Sequence, residues 1–202
     1  MQFDALIVGG GAAGLSCALV LGSAKPKAYA SGKSIGIITH QKTSHLQNAL
    51  FKNVLGLPPG TLGSDILEQG KAQLRTLYPH VVQIEKEKVK SIQNNGESFI
   101  VETNKNIYST KIAVIAVGYT DLLTIKGLEL YVAPHPRAAV EKNRIWLKNE
   151  DHLITKNLYV AGTLAGWRSQ YAMASGSGAH VATDILTLWN DGKHTKVHDK
   201  VE

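Results

Sequence analysis

One cysteine, Cys17, occurs in the 202 residues. That excludes an internal disulfide framework, a cysteine-ligated metal cluster and a Cys-x-x-Cys redox pair within this chain. Long hydrophobic runs are also missing. Residues 5–22, ALIVGGGAAGLSCALVLG, come nearest, but three consecutive glycines interrupt them and MQFD carries no Lys or Arg, so neither an export signal nor a bilayer span is expected. Acidic residues are absent between Asp4 and Asp65. Aromatics make up 6% of the chain and are not interleaved with its lysines. The net charge of +6 is therefore read as a solvated surface, and nucleic-acid binding is not expected. A reducing, cytoplasmic setting is the expectation. With 44% apolar and 19% charged residues, the composition is that of a globular protein with one core.

What is present begins with FDALIV (3–8), a short apolar run that ends at glycines and suits a central parallel strand. A helix is predicted over 12–23 and a second strand over IGIIT, 35–39. A Pro/Gly-rich loop (55–63) then leads to a helix from Ser64, its expected N-cap, to Leu77. Between 81 and 110 the runs HVVQI, KVKSI, SFIVET and NIYST predict an antiparallel meander, with Asn95-Gly96 as a type I′ hairpin turn. KIAVIAVG (111–118) returns to a buried parallel strand. A strand near RIWL (144–147), LYVAG (158–162) and a last helix over 169–189 complete the pattern. The fold class is thus α/β: one Rossmann-like domain over 1–192, a parallel sheet flanked by helices plus a small antiparallel meander, and a polar, frayed tail over 193–202.

Chemistry is carried first by Gly9-x-Gly11-x-x-Gly14, placed directly between strand and helix. The first glycine permits a tight turn and the second lets a pyrophosphate approach the backbone beside Ala12 and Ala13. The third lets helix and strand pack closely, and the helix N-terminus favours phosphate charge. The acidic residue that grips an adenosine ribose should end the second strand, where this chain has Thr39. Either Thr39 makes a neutral hydrogen bond to the ribose, or the missing charge admits the 2′-phosphate of NADP, with Lys33 or Lys42 nearby.

The order GGGAAG, NVLGLPPGTLG, meander, IAVIAVG and TKNLYVAG with a small-residue helix resembles thioredoxin reductase, and more broadly the flavin-dependent pyridine nucleotide-disulfide oxidoreductases. The likeness covers about 1–118 and 144–190, the flavin half of such an enzyme. It implies an FAD site, with a meander-backbone adenine contact near Val89. Asn53 matches an Asn-x-x-Gly flavin contact. Ala116 and Gly118 stand in the family's Ala-Thr-Gly, and Gly162 and Thr163 in its Gly-Asp. Gln170 and Tyr171 open the last helix by the isoalloxazine. The family's second nucleotide domain, bearing Cys-x-x-Cys, would fall in the interval 119–157. That interval spans 39 residues, against about 100 for an independent domain, so thioredoxin reductase chemistry by the family mechanism is not expected.

AMASGSGA (172–179) is small-faced, either to receive a flavin edge at a helix N-terminus or to pack closely. Cys17 reads as a core residue and the three tryptophans as packing residues. The eight histidines show no metal-ligand spacing, and no metal is expected. No residue is assigned a catalytic role. Two readings remain: a redox enzyme fed by a small-molecule reductant or a redox partner protein, with a homodimer or partner shielding the cofactor, or a non-catalytic dinucleotide-binding module.

Overall fold

The computed structural model describes residues 1–40, 44–120 and 123–198. Its elements in chain order are β1 (Gln2–Val8), α1 (Ala12–Ser23), β2 (Ile35–Thr39), β3 (Leu50–Phe51), β4 (Thr61–Leu62), α2 (Gly63–Leu77), β5 (Val81–Glu85), β6 (Val89–Asn94), β7 (Phe99–Thr103), β8 (Ile107–Ile115), β9 (Val132–Pro134), β10 (Ile145–Leu147), β11 (Leu153–Thr155), β12 (Leu158–Val160) and α3 (Tyr171–Trp189). The main sheet runs β11-β12-β8-β1-β2-β5, and β7 and β6 extend it beside the start of β8.

Alternation along β1 divides the core. Ala5 and Ile7 face α1 and α3, together with Leu15, Cys17, Val181 and Ile185. Leu6 and Val8 face the other way, onto Val101, Leu128, Leu147 and Leu164. Both faces of a parallel strand are covered in this way, which is why FDALIV reads as a nearly continuous apolar run. Cys17 is a buried core residue in α1, as its sequence context suggests, and burial pushes its thiol pKa up.

Three expectations are corrected. HVVQI is not part of the meander: β5 pairs in parallel with β2, from Ile35–Val81 to Thr39–Glu85, so the antiparallel unit is β6-β7-β8 alone. NIYST and KIAVIAVG are not two strands either. They fuse into β8, which pairs antiparallel with β7 and then parallel with β1 and β12. The Asn95-Gly96 turn has positive φ only at Gly96, whereas type I′ needs it at both positions. Asn95 Oδ1 instead accepts from the Ser98 amide, closing a four-residue loop.

Two helix starts also differ, and α3 opens at Tyr171 and not at residue 169. The N-cap of α2 is Leu62, one position before the helix opens at Gly63, so Ser64 lies inside the first turn. The tail is anchored at Thr195, which is buried and hydrogen-bonded to Thr187 in α3. No helix among the described residues is long and apolar enough to cross a membrane.

Candidate functional site

The carboxyl ends of β1, β2 and β8 open onto one cleft of about 690 Å³, within the roughly 300–1,000 Å³ usual for small-molecule sites. Its floor is the turn from β1 into α1. Gly9, at φ +116°, has its α-carbon against the Ala116 carbonyl, and Gly14 lies against the Gly9 carbonyl. A Cβ at either position would collide with backbone, so these two glycines hold the strand, turn and helix together. Gly11 differs: a Cβ there would meet nothing within 4 Å. It is also the N-cap of α1 and has no side-chain cap. First-turn amides of a helix lack intrahelical acceptors. Here Ala12 and Ala13 border the cleft, with no acidic side chain in the first turn to engage them. The floor can therefore take an anion.

One wall comes from the end of β8 and the turn after β12. Ala116, Gly118, Gly162, Thr163 and Tyr171 line it, and the Tyr171 ring packs on Phe51 at 5.3 Å between centroids. The glycine turn is braced from the 119–157 interval. His135 Nε2 donates to the Thr163 carbonyl (3.0 Å), Arg137 to the Gly166 carbonyl, and Asn149 to the Ala165 carbonyl (3.2 Å). From α3, Ser177 Oγ accepts from the Gly162 amide at 2.7 Å. The ribbon β9–β10 thus holds a turn, a job open to a segment far too short for a domain.

The opposite wall carries His40, Lys88 and Val89. Thr39 does not reach it. Its side chain is buried and its Oγ1 lies 3.5 Å from the Ile84 carbonyl, because alternation along β2 turns residue 39 away from the cleft. Lys33 stands at the far end of β2 with its ammonium over Trp189, 5.5 Å from the ring centroid, so it cannot serve a phosphate here. Lys42 lies outside the described residues. Asn53 and Gln170 are exposed and stand outside the lining, as does Gly14. Trp167 packs on His152 at 5.0 Å and is likewise not part of the lining.

The sequence reading missed Glu87, an acid that reaches this wall from the turn between β5 and β6 and not from the end of β2. Its buried carboxylate accepts from Thr103 (2.7 Å), Asn106 (2.7 Å) and Tyr108 (3.1 Å). Burial raises its pKa, but these hydrogen bonds and the charge of Lys105 outweigh it, and the net shift is downward. Glu87 thereby fixes the loop that presents Lys88 and Val89. Because its folded pKa is lowered, its contribution to stability is complete above the ordinary value of 4.5 and is lost as pH falls through the folded value. Glu87→Ala leaves two buried donors, the Thr103 and Tyr108 hydroxyls, and the exposed Asn106 amide without their acceptor. The expected destabilisation is at least about 2 kcal/mol, read by urea melts at neutral pH, and the difference from the parent shrinks in melts taken well below pH 4.5.

The small-residue stretch of α3 resolves into two parts. Gly178 lies against the backbone of Ala13, whereas a Cβ at Gly176 would meet nothing within 4 Å. Close packing therefore accounts for Gly178, and its partner is α1 and not the sheet.

With this geometry in place, the likeness to known proteins is informative. Residues 3–172 match the family described as pyridine nucleotide-disulphide oxidoreductase. Over 118 residues the chain is 30% identical to ferredoxin–NADP reductase 2 of Shouchella clausii (strain KSM-K16). That alignment covers 58% of this chain and 34% of the relative, so the chain spans about a third of the curated relative that it matches. Among solved structures, a thioredoxin reductase from Gloeobacter violaceus superposes with TM-score 0.72 at 13% identity, over 100% of this chain and 99% of that one. A ferredoxin-flavin thioredoxin reductase from Clostridium acetobutylicum gives 0.69 at 17% identity, over 94% and 99%. These structures share the fold.

Proposed function

The chain belongs to the pyridine nucleotide-disulphide oxidoreductase family, and on that premise we propose that it binds FAD in an extended pose along the cleft and works as an oxidoreductase. The observation that carries this reading is Gly11: an uncapped helix N-terminus whose missing Cβ leaves open space on the cleft floor. Gly9, Gly11, Ala12 and Ala13 hold the pyrophosphate, while Gly14 keeps α1 close to β1. Lys88 and Val89 flank the adenosine end. Ala116, Gly118, Gly162, Thr163 and Tyr171 surround the isoalloxazine end. Thr39, Asn53 and Gln170 do not line the cleft and are given no contact with the cofactor in this reading. FAD supplies hydride and electron chemistry. The protein orients it, and the braced 162–166 turn fixes the wall beside it.

No cysteine lines the cleft to accept electrons from the flavin, and in this reading a small-molecule reductant or a redox partner protein supplies them. Leu50, Leu55 and Leu62 are exposed large apolar residues on the β3–β4 ribbon and its loop, and a homodimer or such a partner covers them. The compartment is the cytoplasm. A second reading, NADP(H) in the same cleft, draws on Lys88 and His40 at the adenosine end, where a 2′-phosphate would fall. A non-catalytic module is the remaining alternative.

Anaerobic mixing of FAD-loaded protein with dithionite, NADPH and NADH separates these readings. Bleaching by dithionite, with slow or no bleaching by either nicotinamide and re-oxidation by an added acceptor, is the expected result. A flavin that no acceptor re-oxidises would reduce the chain to a binding module. Binding of NADPH but not of FAD would install the second reading.

A further inference from the structure

Outside the cleft lining, and joined to its wall through Ser177, which bonds both His152 and the Gly162 amide, two pairs of side chains from distant parts of the sequence meet near the surface. Residues 151 and 152 form the turn between Glu150 and Leu153, whose backbones exchange two hydrogen bonds (2.9 and 2.8 Å). Both turn residues have positive φ, +42° at Asp151 and +75° at His152. This is the type I′ pattern that normally draws Asn-Gly, and here it swings His152 inward until it is 0% exposed. From α3, His180 stacks on His152 with centroids 4.8 Å apart at 28°, and Asp184 follows one helical turn later.

The ring of His152 is only half used. Its Nε2 lies 2.8 Å from Ser177 Oγ. Its Nδ1 is buried without a hydrogen bond, as is His180 Nε2. Both unpartnered nitrogens face the same carboxylate: Asp151 Oδ1 is 3.5 Å from His152 Nδ1, and Oδ2 is 3.5 Å from His180 Nε2. Asp184 Oδ2 is 3.3 Å from His180 Nε2. One ligand atom from each of Asp151, His152 and His180 can be chosen so that all lie within 4.8 Å of one another.

We propose that Asp151, His152, His180 and Asp184 form a Zn²⁺ site, with His152 Nδ1 and His180 Nε2 as its nitrogen ligands. Zinc–nitrogen and zinc–oxygen bonds of about 2.0–2.1 Å place neighbouring ligand atoms of a tetrahedron about 3.3 Å apart. The individual spacings of 3.3–3.5 Å approach this, and rotation of the exposed Asp151 and half-exposed His180 side chains closes the wider separation of up to 4.8 Å within the trio. Two imidazoles with carboxylates suit zinc-like ions and not the all-oxygen shells of Ca²⁺ or Mg²⁺. Binding through Nδ1 leaves the proton on Nε2, where Ser177 Oγ accepts it, the outer-shell hydrogen bond that metal-bound histidines usually make. Asp151 is 76% exposed and His180 40%, so an ion can enter from solvent. Sequence spacing could not reveal this site: the two histidines stand 28 positions apart, and Asp-His carries no type I′ signal.

The test is calorimetric titration of the full chain, freed of metal by chelator, with Zn²⁺ and separately with Mg²⁺. One Zn²⁺ per chain and no Mg²⁺ uptake is expected. Asp151→Asn and His180→Gln alter exposed or half-exposed side chains and should leave the fold intact. Each should weaken Zn²⁺ binding by at least about 10–100-fold, the loss known for outer-shell partners alone. The double variant His194→Gln/His198→Gln removes the i,i+4 pair near the C-terminus and should bind as the parent does. Co²⁺ in place of Zn²⁺ should give tetrahedral visible absorption that His180→Gln abolishes. Absence of stoichiometric Zn²⁺ binding, or binding lost with His194 and His198 but kept in His180→Gln, would overturn the proposal. Neither outcome touches the reading of the cleft.

Discussion

Gly11→Asp is expected to abolish FAD binding while leaving the melting temperature unchanged or slightly raised. Gly11 is the N-cap of α1, and a Cβ there meets no protein atom within 4 Å. Asp is among the preferred N-cap residues, because its carboxylate accepts from first-turn amides and its charge suits the helix dipole. The substitution is therefore neutral to favourable for the fold. For the ligand it is the reverse, since the carboxylate takes the amides that the pyrophosphate needs. A unit charge about 4 Å from a phosphate costs about 4 kcal/mol at an effective dielectric constant of about 20, on the order of 1,000-fold in affinity. Equilibrium titration with FAD and a thermal melt of the same samples check both halves. Parent-like affinity in the variant would mean that the anion does not sit at α1.

The second large effect separates two glycines on one helix. Gly178→Val is expected to destabilise the protein by about 3 kcal/mol or more, because even its Cβ would enter the backbone of Ala13. Overpacking a well-filled contact typically costs about 1–3 kcal/mol, and here the obstacle is main chain that cannot rotate away. Relief requires α1 and α3 to part, which also displaces the amides of Ala12 and Ala13 on the cleft floor. Gly176→Ala should do the opposite. Gly176 is an exposed position inside α3 with open space around its Cα, and replacing an interior helical glycine by alanine stabilises by about 1 kcal/mol. Urea denaturation of the two variants gives the comparison. Equal and small effects would mean that the small face of α3 is not set by its contact with α1.

How far the sequence disclosed this molecule depends on the range of the signal. β1, α1 and β2 were legible because a glycine motif, an apolar run and a change of period all lie within one local stretch. β5 was misassigned because HVVQI carries the same alternation whether its partner is parallel β2 or an antiparallel neighbour, and only tertiary pairing decides. β8 was split because a polar start, IYSTK, precedes a buried half, and the strand changes partners between them.

The same limit applies at the site. Gly9, Gly11 and Gly14 were found by motif, and their distinct roles follow from what surrounds each Cα. Glu87 was overlooked because the expected acid belonged at the end of β2, whereas this one stands in the turn between β5 and β6 and is held by Thr103, Asn106 and Tyr108. The brace of His135, Arg137 and Asn149 on the 162–166 turn had no local signature at all. It joins residues up to 29 positions apart.

The central claim is that the cleft over the α1 N-terminus holds FAD, and a direct FAD titration of the purified chain tests it. Stoichiometric quenching of flavin fluorescence, one FAD per chain, with yellow colour that stays with the protein through gel filtration, is the predicted result. A protein that remains colourless and leaves flavin fluorescence unchanged at a large excess of chain over FAD would contradict it.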